Sequence, residues 1–333
     1  IQREDMVVTV TNGGYIKRVP LDTYRAQKRG GKGRSATALK DEDFVSDLFV
    51  ASTHTPILFF TSRGIVHKMK VWQLPLATPQ SRGKALVNLL PLESGENVSV
   101  YMRLPENEDI WDELDIMFAT SHGSVRRNKL TDFKNIRANG LIAMKLAEDE
   151  NLVSVKIAKE DEDVFLATRA GKAIRFPVDA IRVFAGRSST GVRGIKLAKG
   201  DAVMSMSILR REAEDEQGQA LLCVSENGFG KRTYAGEYRV TGRGGSGVIN
   251  MDVTTKTGEV VATFPVTDDH QVMLVSDQGQ TIRTPVADVR FTGRSAQGVT
   301  IFKVASGEKV VSVAWLVQED DEEDESPAVQ DDE

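Results

Sequence analysis

FLATRAGKAIR, residues 165–175, is an apolar run, a Thr-x-x-Gly tetrad and a short segment ending on a base. The apolar run, rich in aromatic and aliphatic residues, reads as a strand. The tetrad reads as a tight hairpin turn, with Gly171 taking the positive φ that other residues resist. The pattern is not unique. It returns as VTVTNGGYIKR (8–18), LFFTSRGIVHK (58–68), MFATSHGSVRR (117–127), LCVSENGFGKR (222–232) and MLVSDQGQTIR (273–283). The turn glycines Gly14, Gly64, Gly123, Gly171, Gly228 and Gly279 are spaced 50, 59, 48, 57 and 51 apart.

Each copy continues in the same way. A second glycine follows 17 to 20 residues after the first: Gly33, Gly83, Gly140, Gly191, Gly247 and Gly298. After it come a β-prone segment, acidic or glycine turn residues, and a final apolar run such as GDAVMSMSIL or GEKVVSVAWL. Each unit therefore predicts about four short antiparallel strands, and no useful helix pattern is visible. One such sheet cannot bury both faces alone, whereas six arrayed around an axis can, which predicts an all-β, six-bladed, propeller-like disc. The blades should start near residues 6, 56, 115, 163, 220 and 271 of a domain covering 1–318. The longer gaps hold PENEDIWDEL (105–114) and REAEDEQGQ (211–219), polar stretches expected to be surface loops.

Composition narrows the function. Of 333 residues 40% are hydrophobic, enough for a large core, and no apolar run is long enough to span a membrane. The single cysteine, Cys223, lies in the strand-like ALLCVS and reads as a buried core residue of a protein from a reducing, cytoplasmic compartment. A start at Ile1 with no signal-like segment suggests a piece of a larger protein. The net charge of −5 hides an asymmetry: ten acids and no Lys or Arg fall in 319–333, leaving 38 acids against 43 bases in 1–318. A basic body with an acidic tail points to a polyanion partner, and the tail is expected to be disordered.

No catalytic constellation emerges. The four histidines lack metal-ligand spacing, so no metal site is expected. GRGGSG (242–247) matches G-x-G-x-x-G, but a strand pattern, VINMDV, follows where a dinucleotide site needs a helix. What recurs is charge. One series of cations stands four residues after each turn glycine: Arg18, Lys68, Arg127, Arg175, Arg232 and Arg283. A second precedes each second glycine: Arg29, Arg82, Arg137, Arg187, Arg243 and Arg294. Two rings of cations at blade spacing predict a basic belt. Such a belt suits a long smooth polyanion, and because stacking aromatics are sparse in these loops, duplex DNA is the better target. In the first copy the loop is enlarged to QKRGGKGR: Gln27, Lys28, Arg29, Gly30, Gly31, Lys32, Gly33 and Arg34. Its glycines would let main-chain N–H groups approach phosphate oxygens, as phosphate-cradling loops do.

QKRGGKG resembles the signature box Q-R/K-R-G-G-x-G of the C-terminal domain of the DNA gyrase A protein, with Lys28 at the second position. The six repeats, residues 6–317, run through the same length as in that family. The resemblance implies a β-pinwheel whose neighbouring blades exchange a strand, and a rim that wraps duplex DNA so that the gyrase holoenzyme can supercoil it negatively. It implies no catalysis and no cofactor here, since ATP and Mg would serve other parts. The implied partners are the gyrase A breakage-reunion domain and gyrase B in an A2B2 holoenzyme on the nucleoid, the isolated domain being a monomer. The alternatives are a topoisomerase IV-type domain that binds DNA without strong wrapping, and a propeller scaffold for an acidic protein.

Overall fold

The computed structural model describes residues 1–30, 43–211 and 218–316. Six antiparallel sheets follow one another along the chain. Blade 4 shows the plan: Glu162–Thr168 and Lys172–Pro177 form a hairpin in the register Leu166↔Ile174, and Val203–Arg210 pairs the other edge of Glu162–Thr168. The corresponding hairpins are Asp5–Thr11 with Tyr15–Pro20, Pro56–Thr61 with Ile65–Lys70, and Asp115–Thr120 with Ser124–Lys129. The last two are Ala220–Ser225 with Phe229–Tyr234, and Gln271–Ser276 with Thr281–Pro285. Each turn glycine donates its N–H to the residue three before it, as Gly171 does to Thr168 (3.1 Å), at a φ of +89°.

The fourth strand of a blade comes from the next repeat. Lys84–Ala85 pairs with Tyr15–Ile16, Leu141–Ile142 with Ile65–Val66, Val248–Ile249 with Lys172–Ala173, and Val299–Thr300 with Phe229–Gly230. In blade 3 both Val192–Arg193 and the parallel pair Val183–Phe184 sit on Ser124–Lys129. This exchange is the pinwheel connectivity. It depends on glycine at two places in most repeats: a Cβ on Gly228 would overlap the Phe302 carbonyl, and one on Gly247 the Ala173 carbonyl. Blade 6 shows three strands among the described residues. The strands Val45–Ser52, Val98–Arg103, Leu152–Ala158, Val203–Arg210, Val260–Val266 and Val310–Leu316 face one another around the axis, and the last lies against the first. The disc closes.

The apolar core lies between blades. Phe60 of blade 2, Phe118 of blade 3 and Phe133 meet in tilted and edge-on contacts with centroids 5.6–6.3 Å apart. Phe165 of blade 4 meets Tyr238 edge-on at 4.9 Å. The hairpins of blades 1 to 5 are thus covered on both faces, and burying each such side chain contributes about 1.5–3 kcal/mol.

Two expectations need correction. Leu21–Gly30 is a helix, not a loop. Leu21 and Tyr24, three residues apart, pack on Val7 and Val19, and Asp22 stands in the first turn where the helix dipole favours an acid. The other repeats have only a short 3-10 turn there, as at Val178–Ala180. The insertion 105–114 is also more than a polar loop. Its Trp111 is fully buried in the blade 2–blade 3 core, with Nε1 donating to the Pro105 carbonyl at 2.9 Å. Cys223 is buried in a strand, as expected. Most of the insertion 211–219 and the whole of the tail 319–333 lie outside the described residues.

Candidate nucleic-acid interface

Successive residues on a strand point to opposite faces. At the third and fourth positions after the turn glycine of the first five hairpins, both faces are covered by protein, and this decides the fate of the first cation series. Arg175 Nε lies 2.9 Å from Asp163, and its Nη1 donates to the Ala235 carbonyl at 2.8 Å in the 3-10 turn of the next blade. Arg127 Nη2 lies 2.6 Å from Asp115 and 3.1 Å from Glu160, while its Nη1 donates to the Ile181 carbonyl. Arg232 pairs with Asp268 and donates to the Val289 carbonyl at 2.7 Å. Lys68 pairs with Glu108 and donates to the Lys134 carbonyl at 2.8 Å. Arg18 donates to the Leu74 carbonyl at 2.9 Å.

These side chains tie each blade to the turn of the next. Arg127, Arg175 and Arg232 are buried and Arg18 and Lys68 half-buried, so they offer a phosphate little or nothing. As a belt the first series is corrected: a guanidinium already paired and enclosed would have to give up its partners to meet DNA. Only Arg283, in the blade whose fourth strand is not described, stands exposed.

The second series lies at the rim. Arg137 and Arg243 are exposed, and Arg82, Arg187 and Arg294 are half-exposed. Several reach back to the donated strand or loop of the preceding repeat: Arg243 donates to the Arg193 carbonyl (3.0 Å), Arg294 to the Ile249 carbonyl (2.6 Å) and Arg187 to the Asp132 carbonyl (3.3 Å). Arg82 stacks on the Tyr15 ring at 3.8 Å. Of the signature box, Gln27, Lys28, Arg29 and Gly30 end the helix Leu21–Gly30. Gly31, Lys32, Gly33 and Arg34 lie outside the described residues.

A third series escaped the sequence reading. Arg25, Arg182, Arg239 and Arg290 are all exposed. The last three each precede a segment that runs alongside the hairpin, where Val183 faces Arg127, Val240 faces Arg175 and Phe291 faces Arg232. The signal was present as RVFAGR, RVTGR and RFTGR, two arginines four or five apart in one loop.

Beneath the rim is a further set, three residues after the turn glycine: Lys17, Arg126 and Lys231, all at 3% exposure or less. Burial pushes the Lys231 ammonium down to about 8 and the Arg126 guanidinium to about 10. Acids gather instead at the hairpin turns and are consumed there. Thr11 donates to Asp43 (2.7 Å), Thr61 to Glu96 (2.6 Å) and Thr120 to Glu150 (2.6 Å).

A closed six-bladed disc with exchanged strands and arginine-bearing rim loops defines the class: a β-pinwheel of the kind appended to type II topoisomerases. The chain belongs to the family described as DNA gyrase C-terminal domain, beta-propeller, whose model matches residues 5–52, 55–110, 114–159, 162–210, 219–267 and 270–314. It is 49% identical over 368 residues to the DNA gyrase A protein of Rickettsia conorii and 40% identical to that of Escherichia coli. These alignments cover 98% and 97% of the chain but 41% and 36% of the relatives, so the chain spans about two-fifths of their length. Among solved structures, a DNA gyrase A C-terminal domain superposes with a TM-score of 0.68 at 27% identity, over 94% of this chain and all of the other. The C-terminal domain of DNA topoisomerase IV superposes at 0.82 with 23% identity, over 95% and 94% of the two chains, a likeness of fold.

Proposed function

We propose that this chain binds duplex DNA along its rim and wraps it, presenting a chiral segment to the breakage-reunion domain of a gyrase A protein. The observation that carries the reading is the recurrence of exposed or half-exposed arginines in successive rim loops: Arg82, Arg137, Arg187, Arg243 and Arg294, reinforced by Arg182, Arg239 and Arg290. Cations at regular intervals on a convex edge favour a stiff polyanion that bends along them, because each phosphate neutralised releases condensed counterions. DNA of persistence length about 150 bp resists such bending by a few kcal/mol per site, so contacts must recur along the path. The signature box, Gln27 to Arg34, would anchor one end of it.

In this reading the chain performs no chemistry. ATP, Mg and strand cleavage belong to the rest of an A2B2 holoenzyme with gyrase B, located on the nucleoid, and the isolated disc is a monomer. Duplex titrations over a range of salt test it: log K should fall against log salt with a slope of roughly −5 to −9, six to ten phosphates at about 0.9 each. A slope near −2 would remove the belt as the binding surface. Stronger binding to an acidic peptide than to duplex would favour a protein scaffold instead.

A further inference from the structure

The buried cations beneath the rim have an unusual set of partners. Lys17 Nζ donates to the Pro79 carbonyl (2.7 Å) and the Ser81 carbonyl (2.8 Å) of the next repeat's loop. Arg126 Nη1 donates to the Arg187 carbonyl (2.7 Å) and the Ser189 carbonyl (2.8 Å). Lys231 Nζ donates to the Gly293 carbonyl (2.9 Å) and the Arg294 carbonyl (2.6 Å). In all three cases the loop gripped is the one that carries a rim arginine: Arg82, Arg187 or Arg294.

A trans peptide is planar, with its C=O and N–H pointing in opposite directions. Carbonyls turned inward to a buried cation therefore turn the following N–H groups outward. Those belong to Gln80 and Arg82, to Ser188 and Thr190, and to Ser295; none of the five has a hydrogen-bond partner among the described residues. Gln80, Ser188, Thr190 and Ser295 are exposed. The sixth such group, Arg294 N–H, is taken by Glu237 at 3.1 Å. In the first loop Arg82 Nε and Nη2 are buried without a partner, and in the second so is Ser189 Oγ. Arg126 and Lys231 make no salt bridge with a described carboxylate, although Asp132 acts on the first and Glu237 and Asp252 on the second from further off, so the second and third loops each sit over a buried cation. Outward N–H groups over a buried cation make an anion nest, with two free groups in each of the first two loops and one, that of Ser295, in the third.

We propose that the rim loops 78–82, 187–190 and 293–295 are main-chain phosphate nests, each shaped by a buried positioning cation, Lys17, Arg126 or Lys231, and each taking one phosphodiester of the duplex. The proposal rests on the wrapping reading and gives its contacts a second, backbone component. The nests fall in alternate repeats: in the other three described hairpins the equivalent residues are His67, Ile174 and Ile282, and the two isoleucines have no donor to offer. Every second blade then grips DNA through its main chain, while all of them contribute side-chain charge.

The test follows the amides of the labelled chain by NMR during titration with a linear duplex, with a duplex carrying uncharged methylphosphonates, and with inorganic phosphate. Salt slopes of Arg126→Met and Lys231→Met, with Arg126→Lys and Lys231→Arg as rescues, complete it. The expected result is a downfield shift of the Gln80, Arg82, Ser188, Thr190 and Ser295 amides with normal duplex and none with the uncharged one. Each Met variant should lose about 0.9 from the slope, one phosphate, and each rescue should restore it. Amides that stay in place while duplex binds would overturn the nests, even where a Met variant fails to fold. A response to inorganic phosphate alone would also overturn them, as sites for a free anion. A chain that binds no duplex at all would instead overturn the wrapping reading on which they depend.

Discussion

At the scale of single residues, two cations of the same repeat pattern do different work because they face different neighbours. Arg175 ties blades together, whereas Arg294 stands at the rim with its guanidinium partly open to solvent. Arg175→Ala should cost about 3 kcal/mol, since it strips a buried carboxylate of one partner, and should leave the salt slope of DNA binding unchanged. Arg294→Ala should do the reverse, leaving stability within about 0.5 kcal/mol and lowering the slope by about one unit. Denaturant titration and duplex titration of both variants separate the roles. Lys231 allows a sharper check. Its ammonium faces Cys223, Glu237, Asp252 and Arg294, and burial, the dominant cause, brings it down to about 8. Between pH 8 and the unfolded value of about 10.4 the unfolded chain holds the extra proton, so Lys231 makes stability rise with pH over that window. A phosphate above the loop favours the charged form, so duplex affinity should fall as pH passes through 8. Affinity and stability then move in opposite directions, which alkaline unfolding cannot mimic. Lys231→Arg should flatten the affinity profile, and an unchanged profile would remove Lys231 from the interface.

At the scale of elements, the hairpins were legible because their signal is local. A strand pattern, Thr or Ser, and a glycine three later state one turn, and the structure has that turn at all six places. The fate of the cations was not legible. A base on a strand normally marks a solvent face, but these hairpins are sandwiched between blades, so both faces are interior and the alternation rule gives no outside. Arg127 and Arg126, neighbours in sequence, are both buried, one under a 3-10 turn and one under a rim loop. Trp111 was hidden for a related reason: one aromatic in an acidic stretch carries no periodicity, and only the tertiary gap beside Phe133 explains it. Truncating it should cost about 3–5 kcal/mol, read by thermal or denaturant unfolding. The exchanged strands are two residues long, too short for any pattern, and their place came from family likeness rather than from the residues themselves. Their dependence on glycine is testable. Gly228→Ala meets both a φ of +79° and the Phe302 carbonyl, so it should destabilise by more than the roughly 1 kcal/mol that positive φ alone costs. The same change at Gly14, where a Cβ has open space, should show the φ cost only.

At the scale of the whole molecule, closure is what the proposed wrapping needs, since it would join separate grips into one continuous path. Each described rim loop is held by contacts from the preceding blade, so the spacing of the cations is fixed by the core rather than by flexible side chains, and in the proposed wrapping a duplex that meets one blade would be aimed at the next. Binding alone does not establish this, because any basic surface binds DNA; wrapping changes topology. The most direct measurement is therefore the linking number of relaxed circular DNA sealed by ligase in the presence of the chain. The account predicts a topoisomer distribution displaced in one direction, growing with protein until the circles are saturated, and collapsing when Arg82, Arg137, Arg187, Arg243 and Arg294 are replaced together by Ala. A distribution that stays at the relaxed centre while duplex is demonstrably bound would contradict it.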